Sequence, residues 1–397
     1  MSSFPNSRGE RTGRTVAGAA LLGAAMLTLA GCRKHDFPDY PANYREFAYV
    51  TNGASGTVTV LDVVHLRVDR EIQVGQRPVA VVASPTRNEV YVLNSGNAQG
   101  YGSVSVLDAE KNAVVATIAV RRMPMSLDVD TEGGYAYVSN TGSNSVSVID
   151  LKARREVAVI GTGEGPEMAR ISADGKSLVV TNREGHSVSI VDPATRQIRK
   201  VFEGCAGALD VAILPDSSKA FVACSGGHQI MAIALARAAD ANGAAKPDAL
   251  EALLDVGQAP VHLALKPDGG ELFVSNSESD SISEVITSTD DVGGAYLIGS
   301  HPVRGLVNSD NSLLYECNFR SQEISMYAID DGKRAGSISV GDGPVALAFS
   351  AGGHLLFAAD ERSGDVAVIR TSTHSLFNLL PAGREPNAIA VKALRVP

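Results

Sequence analysis

Asp210, His262 and Arg304 are the residues best placed by type and spacing to do chemistry. They stand 52 and 42 residues apart, each two residues after a position that is usually proline: Ala208, Pro260 and Pro302. The corresponding places elsewhere hold Ala80, Ser126, Met168, Ala346 and Ala388, so three consecutive units break a small-or-apolar rule. A carboxylate beside an imidazole orients and charges the ring for acid–base work, and an adjacent guanidinium holds an anionic ligand. The competing reading is a buried ion-pair cluster that seals contacts and shifts proton affinities without catalysis. Glu167, Arg170 and His301 fall nearby in the same frame and would enlarge the sector.

Two further sets carry possible chemistry. His186, His228 and Asp280 occupy equivalent loop positions in successive units, and two imidazoles with a carboxylate are a possible metal set. Equivalent loops in neighbouring units are too widely spaced to share an ion, so no metal is expected. Cys205 and Cys224 flank one pair of adjacent segments on the same face, a plausible disulfide in an oxidising compartment. Cys317, inside "LLYECN", reads as a buried free thiol.

What must position these residues is a repeat. A Y-V-x-N-like element opens at Tyr49, Tyr91, Tyr137, Val179, Phe221, Phe273, Tyr315 and Phe357, with spacings of 42, 46, 42, 42, 52, 42 and 42 residues. Each unit contains four short segments of alternating apolar and polar residues bounded by Gly, Asn, Asp and Pro, the pattern of β-strands. Four antiparallel strands in about 42 residues make one blade of a β-propeller. The fold expected is therefore all-β, an eight-bladed propeller of four-stranded antiparallel blades. The final "PNAIAVKA" lacks a following Y-V-x-N and the first "FAYVTN" lacks a preceding strand, so the C-terminal strand should pair with the N-terminal blade and close the ring. The recurring Asn52, Asn94, Asn140, Asn182, Asn276 and Asn318, replaced by Cys224 and Asp360 in two units, reads as a turn-capping residue that bonds the backbone two residues on.

The segments "YVTN", "VTVLD" and "VGQRPVAVVASP" resemble the YVTN-repeat propellers, over residues 46–397. That resemblance implies a propeller and admits lactonase-like relatives. Two units depart from the 42-residue spacing. One carries four extra residues in a loop with Tyr101 at its tip, on the face that usually binds ligands. The other carries ten extra in an Ala-rich stretch, "ALARAADANGAAKPDALEALL", expected to form a short helix on the opposite face.

Residues 1–31 read as a signal peptide: Arg8, Arg11 and Arg14 precede an apolar run from Val16 to Leu29. "LAGC" at 29–32 resembles the lipobox of bacterial lipoproteins, which implies lipidation of Cys32 and a membrane anchor. Arg33, where proteins held at the inner membrane often carry Asp, points to the outer membrane, with residues 32–45 as a flexible tether. Loss of three Arg and one Glu leaves 32 minus 43, a net charge of −11, against −9 for the whole chain. So acidic a surface repels phosphate backbones, and no nucleic-acid partner is expected.

No C-x-x-C-H, G-x-S-x-G or P-loop occurs and tryptophan is absent, so no cofactor is expected. The expected function is a lipid-anchored, monomeric, periplasmic binding or scaffold module, presenting its channel face to an envelope protein or small ligand. Two alternatives are a lactonase-like hydrolase using Asp210, His262 and Arg304, and a haem-handling propeller resembling the haem domain of periplasmic nitrite reductase. Fold analogy alone carries neither.

Overall fold

The computed structural model describes residues 40–97, 100–236 and 246–394. The stretch expected to be a signal peptide, Cys32, most of the expected tether and the centre of the Ala-rich insertion lie outside the described residues.

The alternating segments become strands because alternation gives each one two faces, and each face meets a neighbouring sheet. In blade 4 the strands are Pro166–Ile171, Leu178–Asn182, Ser187–Asp192 and Gln197–Glu203, paired antiparallel in that order. The second strand is buried throughout; the outermost buries only Phe202 fully and shows its other residues to solvent. The described residues form eight such four-stranded sheets, numbered in chain order: blade 1 holds Glu46–Asn52, and blades 2, 3 and 8 open with Pro78–Ala83, Pro124–Val129 and Pro344–Phe349. Their apolar core lies between blades: Val188 and Ile190 of blade 4 cluster with Val222, Met231 and Ile233 of blade 5. A single blade has nothing to cover that surface, so the blades stand or fall together.

The ring closes as the two ends of the repeat require. Pro386–Ala393 pairs antiparallel with Glu46–Asn52, setting Ala390 opposite Tyr49. Two buried ionisable side chains bind this composite blade sideways. Lys392 Nζ donates to the Ser84 carbonyl at 2.7 Å, and Glu46 Oε1 accepts the Ala351 N–H at 2.6 Å.

The recurring asparagine is a latch, by a different bond from the one its position suggested. It reaches across its hairpin to hydroxyls instead of bonding the backbone two residues on. Asn182 Nδ2 donates to Ser187 Oγ at 3.1 Å and Ser189 Oγ at 2.9 Å; Asn52 does the same to Thr57 and Thr59. The glycine of the V-G-x-x-P stretch packs on this amide. A Cβ on Gly163 would lie 2.7 Å from the Asn182 side chain, and the Gly75 N–H donates to Asn94 Oδ1 at 3.0 Å. In blade 2 the Asn94 amide thus ties its hairpin to the segment entering its own blade's innermost strand, and in blade 4 the same approach is a packing contact.

Candidate functional site

The innermost strands of blades 5, 6 and 7 are Ala208–Ile213, Pro260–Leu265 and Pro302–Val307. Each slips register just after its first residue, between Ala208 and Val211, Pro260 and His262, and Pro302 and Arg304. Such a bulge re-aims the side chains beside it. Here it turns Asp210 out of its own ladder and toward blade 6.

Asp210 is 5% exposed and fully engaged. Its Oδ2 accepts from His262 Nδ1 at 2.7 Å and from the Leu263 N–H at 3.0 Å, and its Oδ1 accepts the Val211 N–H at 2.9 Å. Burial alone would raise this carboxyl. The His262 ring, with Arg170 and Arg304 behind it, outweighs burial and holds it well below the usual carboxylate range. The other ring nitrogen of His262 points at the Gly305 carbonyl of blade 7, 3.1 Å away. Burial and the Arg304 charge pull the ring toward its neutral form; Asp210 and the Gly305 carbonyl favour the doubly protonated ring. The lowering influences prevail and hold the ring below the ordinary imidazole range, while both ring nitrogens are turned to protein oxygens.

Asp210 and His262 therefore form a polar seam across three blades. Ser126 plays the same acceptor part between blades 3 and 4, taking the Ala169 N–H at 3.0 Å. The seam is thus an elaboration of a structural bond. Arg304 differs. Its side chain is exposed, and among the described residues its guanidinium makes no hydrogen bond or ion pair. Arg170 stands 3.8 Å from Asp128 and bears electrostatically on Asp210. With Asp128, Val211 and Leu263 it lines a cavity of about 390 Å³ at the end of the channel away from the asparagine latches.

Not every residue expected in the sector belongs to it. Glu167 faces Arg183 at 3.9 Å, and burial pushes its carboxyl up. His301 packs on Phe319, with ring centroids 6.1 Å apart, and its Nδ1 lies 3.7 Å from Glu278. Tyr101 opens the strand Tyr101–Asp108 instead of capping a loop, and is 67% exposed.

His186, His228 and Asp280 share one structural duty. Each sits in left-handed backbone with φ near 50° and accepts a backbone N–H from the segment entering the next blade: Gly207 to His186 Nδ1 at 3.0 Å, Ala259 to His228 Nδ1 at 3.2 Å, His301 to Asp280 Oδ1 at 2.8 Å. An Nδ1 that accepts leaves a neutral ring protonated at Nε2, so these rings present protons and not metal-binding lone pairs. Among the described residues no group of three or more His, Cys, Asp or Glu could hold a metal ion. Cys205 and Cys224 are joined by a disulfide, with Cα atoms 4.8 Å apart, and Cys317 is a buried free thiol.

One residue of the sector escaped sequence reasoning. Glu316 stands where other blades have Val50, Val92, Val138, Val180, Val222, Val274 or Ala358. It is fully buried and lies directly opposite Gly305; neither carboxyl oxygen makes a well-formed hydrogen bond, though the Ser275 hydroxyl and the Arg304 N–H stand close enough to act on it. Burial pushes it up to about 8, against smaller lowering effects from Ser275 and Arg304. The signal was present in "LLYECN", a Y-V-x-N element with its valine exchanged for an acid.

A larger cavity, about 750 Å³, opens at the latch end between blades 7, 8 and 1. Its lining includes Arg362, which stacks 4.1 Å over Phe319, and Arg384, which donates to the Ala54 carbonyl. The Asp210–His262 seam does not border it.

No family model matches this sequence, and no curated protein matches it. Among solved structures the chain is similar to the dihydro-heme d1 dehydrogenase NirN in complex with DHE, at 17% identity over 89% of this chain and 76% of that one, with a TM-score of 0.71. It is similar to apo AztD from Citrobacter koseri at 12% identity over 88% and 98% of the two chains, TM-score 0.67. Hydrazine synthase of Kuenenia stuttgartiensis matches at 21% identity over 70% and 91%, TM-score 0.55. Likenesses at these identities concern the fold: this chain is an eight-bladed β-propeller.

Proposed function

We propose that the protein is a monomeric binding module of the cell envelope, anchored at the outer membrane through a lipidated Cys32, whose channel takes a small carboxylate-bearing ligand. The observation that carries this reading is the Arg304 guanidinium, exposed and without a hydrogen bond or ion pair among the described residues, whose charge bears on the His262 ring, in a chain of net charge −9. A free arginine fork next to a desolvated polar seam favours a planar anion. The same geometry speaks against a hydrolase. A general base needs a ring nitrogen free to take a proton from water, and His262 spends both nitrogens on protein oxygens.

The test is calorimetric titration of the full chain with succinate at pH 7. Arg304→Gln should weaken binding at least about tenfold with an unchanged melting temperature, as expected for an exposed, unpaired side chain losing a charged contact. Wild-type protein that ignores succinate, or a variant that binds it equally well, would count against the reading. The anchor is tested separately: wild type should incorporate labelled palmitate and Cys32→Ser should not.

A second reading is tetrapyrrole handling, favoured by the likeness to NirN in complex with DHE. Carboxylate side chains of a tetrapyrrole suit the same arginine. Added protohaem should then give a shifted Soret band that Arg304→Gln diminishes; an unshifted band disposes of it.

A further inference from the structure

Blade 7 departs from the repeat at two facing positions, and the two departures fit each other. Gly305 replaces the Val81, Leu127, Ala169, Val211, Leu263, Leu347 or Ile389 of other innermost strands, and Glu316 replaces the valine opposite. A Cβ on Gly305 would lie 2.6 Å from Glu316 Oε2. The carboxyl therefore fills the space an apolar side chain fills elsewhere, pressed against the strand whose carbonyl receives His262. Exchanging two apolar residues for glycine and a buried acid without a well-formed hydrogen bond costs stability, the kind of local inconsistency that folds tolerate for function.

The groups that face Glu316 are few. From the innermost strand of its own blade come the backbone N–H and guanidinium of Arg304, and beyond Gly305 the His262 ring of blade 6. From its own strand comes the neighbouring Cys317 thiol, which burial and the Glu316 charge hold protonated. Blade 6 contributes Ser275 and the methyl of Ala264, and the third strand of blade 7 sets Ser325 opposite. Of these groups the Arg304 guanidinium, the one that would hold the ligand, is the charge that bears on the carboxyl. A negative charge created here acts through low-dielectric protein on whatever Arg304 holds.

We propose that Glu316 is a proton-controlled positioning residue of the channel site: with its carboxyl neutral the Arg304 sector accepts an anion, and with it ionised the anion is expelled. Ligand uptake is then linked to a proton, and by reciprocity the bound anion strengthens the hold of Glu316 on that proton. This rests on the anion-binding reading above. It adds that the site releases its ligand in mildly alkaline conditions.

The experiment has two arms, run on wild type, Glu316→Gln and Glu316→Val. Melting temperatures between pH 4.5 and 9, without ligand, ask whether Glu316 holds a proton at all; the gap between each variant and wild type should widen as pH rises toward 8. Succinate titrations at pH 7 and pH 9 ask whether that proton matters. Wild-type affinity should fall roughly tenfold between the two, the limit for one linked proton titrating midway, while both variants bind alike at either pH. A gap that does not change with pH overturns the proton site whatever succinate does. A widening gap with wild-type affinity equal at pH 7 and 9 overturns the coupling alone. No succinate binding at any pH removes the anion site itself, and the coupling with it.

Discussion

Asp360 takes the place of the latch asparagine in blade 8 and shows what the amide contributes. Its Oδ2 still accepts the N–H of a loop glycine, Gly341, at 3.0 Å, as Asn94 does for Gly75. An acid has no amide N–H to send across the hairpin, and the residue opposite is not a serine but Asp365. Burial first, then the hydrogen bond and charge of Asp365, push Asp360 up to about 8. The folded state thus keeps a proton that the unfolded chain releases near pH 4. Stability is complete below that value and is lost as pH rises toward 8. Asp360→Asn restores the amide and removes the linkage. It should stabilise the protein by a few kcal/mol at pH 8, on the scale of about 1.4 kcal/mol for each tenfold difference in proton affinity between folded and unfolded chain, and by much less at pH 4.5. Urea unfolding at the two pH values checks this, and equal gains at both would refute the proton held on Asp360.

At the scale of strands and hairpins, blade 5 lacks both usual locks, having Ala208 for proline and Cys224 for asparagine, and the disulfide to Cys205 replaces them. Closing a loop of sequence separation 19 contributes about 3 kcal/mol through the unfolded chain. Replacing both cysteines by serine should lower the unfolding free energy by about that amount and leave wild type in reductant equally weakened; an unmoved urea midpoint would show the covalent link to be idle. Strands of this kind are legible in the sequence because each is written eight times over. Alternation, bounding turns and the Pro-to-Y-V-x-N interval agree from unit to unit, which fixed blade number, ring closure and the adjacency of Asp210 and His262. What was not legible depends on one residue's local backbone. Nothing in the spelling of His186 says that a left-handed φ makes its Nδ1 an acceptor for Gly207. Likewise the bulge after Pro260 decides that His262 reaches the Gly305 carbonyl, so the free chemistry moves to Arg304. Glu316 was spelled out, but a search for rule-breaking residues confined to the innermost strands passes over the strand behind them.

The molecule as a whole depends on its last strand more than on any site. The apolar clusters are shared between blades, among them the one in which Tyr49 and Val60 of blade 1 meet Val81 and Val92 of blade 2, with Ala388 and Ala390 of the C-terminal strand packed against it. Removing residues 386–397 takes the innermost strand from blade 1, strips these residues of cover and leaves Glu46–Asn52 with an open edge of unpaired N–H and C=O groups. It also deletes Lys392, whose ammonium holds the Ser84 carbonyl of blade 2. Because each blade is covered only by its neighbours, the damage does not stop at one sheet. The truncated chain should elute as soluble aggregates, bind a hydrophobic dye and lose its cooperative melt, since edge strands of this length pair with other chains. A synthetic peptide spanning 384–397, added during refolding, supplies the missing strand and should restore a monomer with a single transition. A truncated protein that stays monomeric and melts like wild type without the peptide would mean that the blades hold their arc unaided, and that the seam from Asp210 to Gly305 does not need a closed ring behind it.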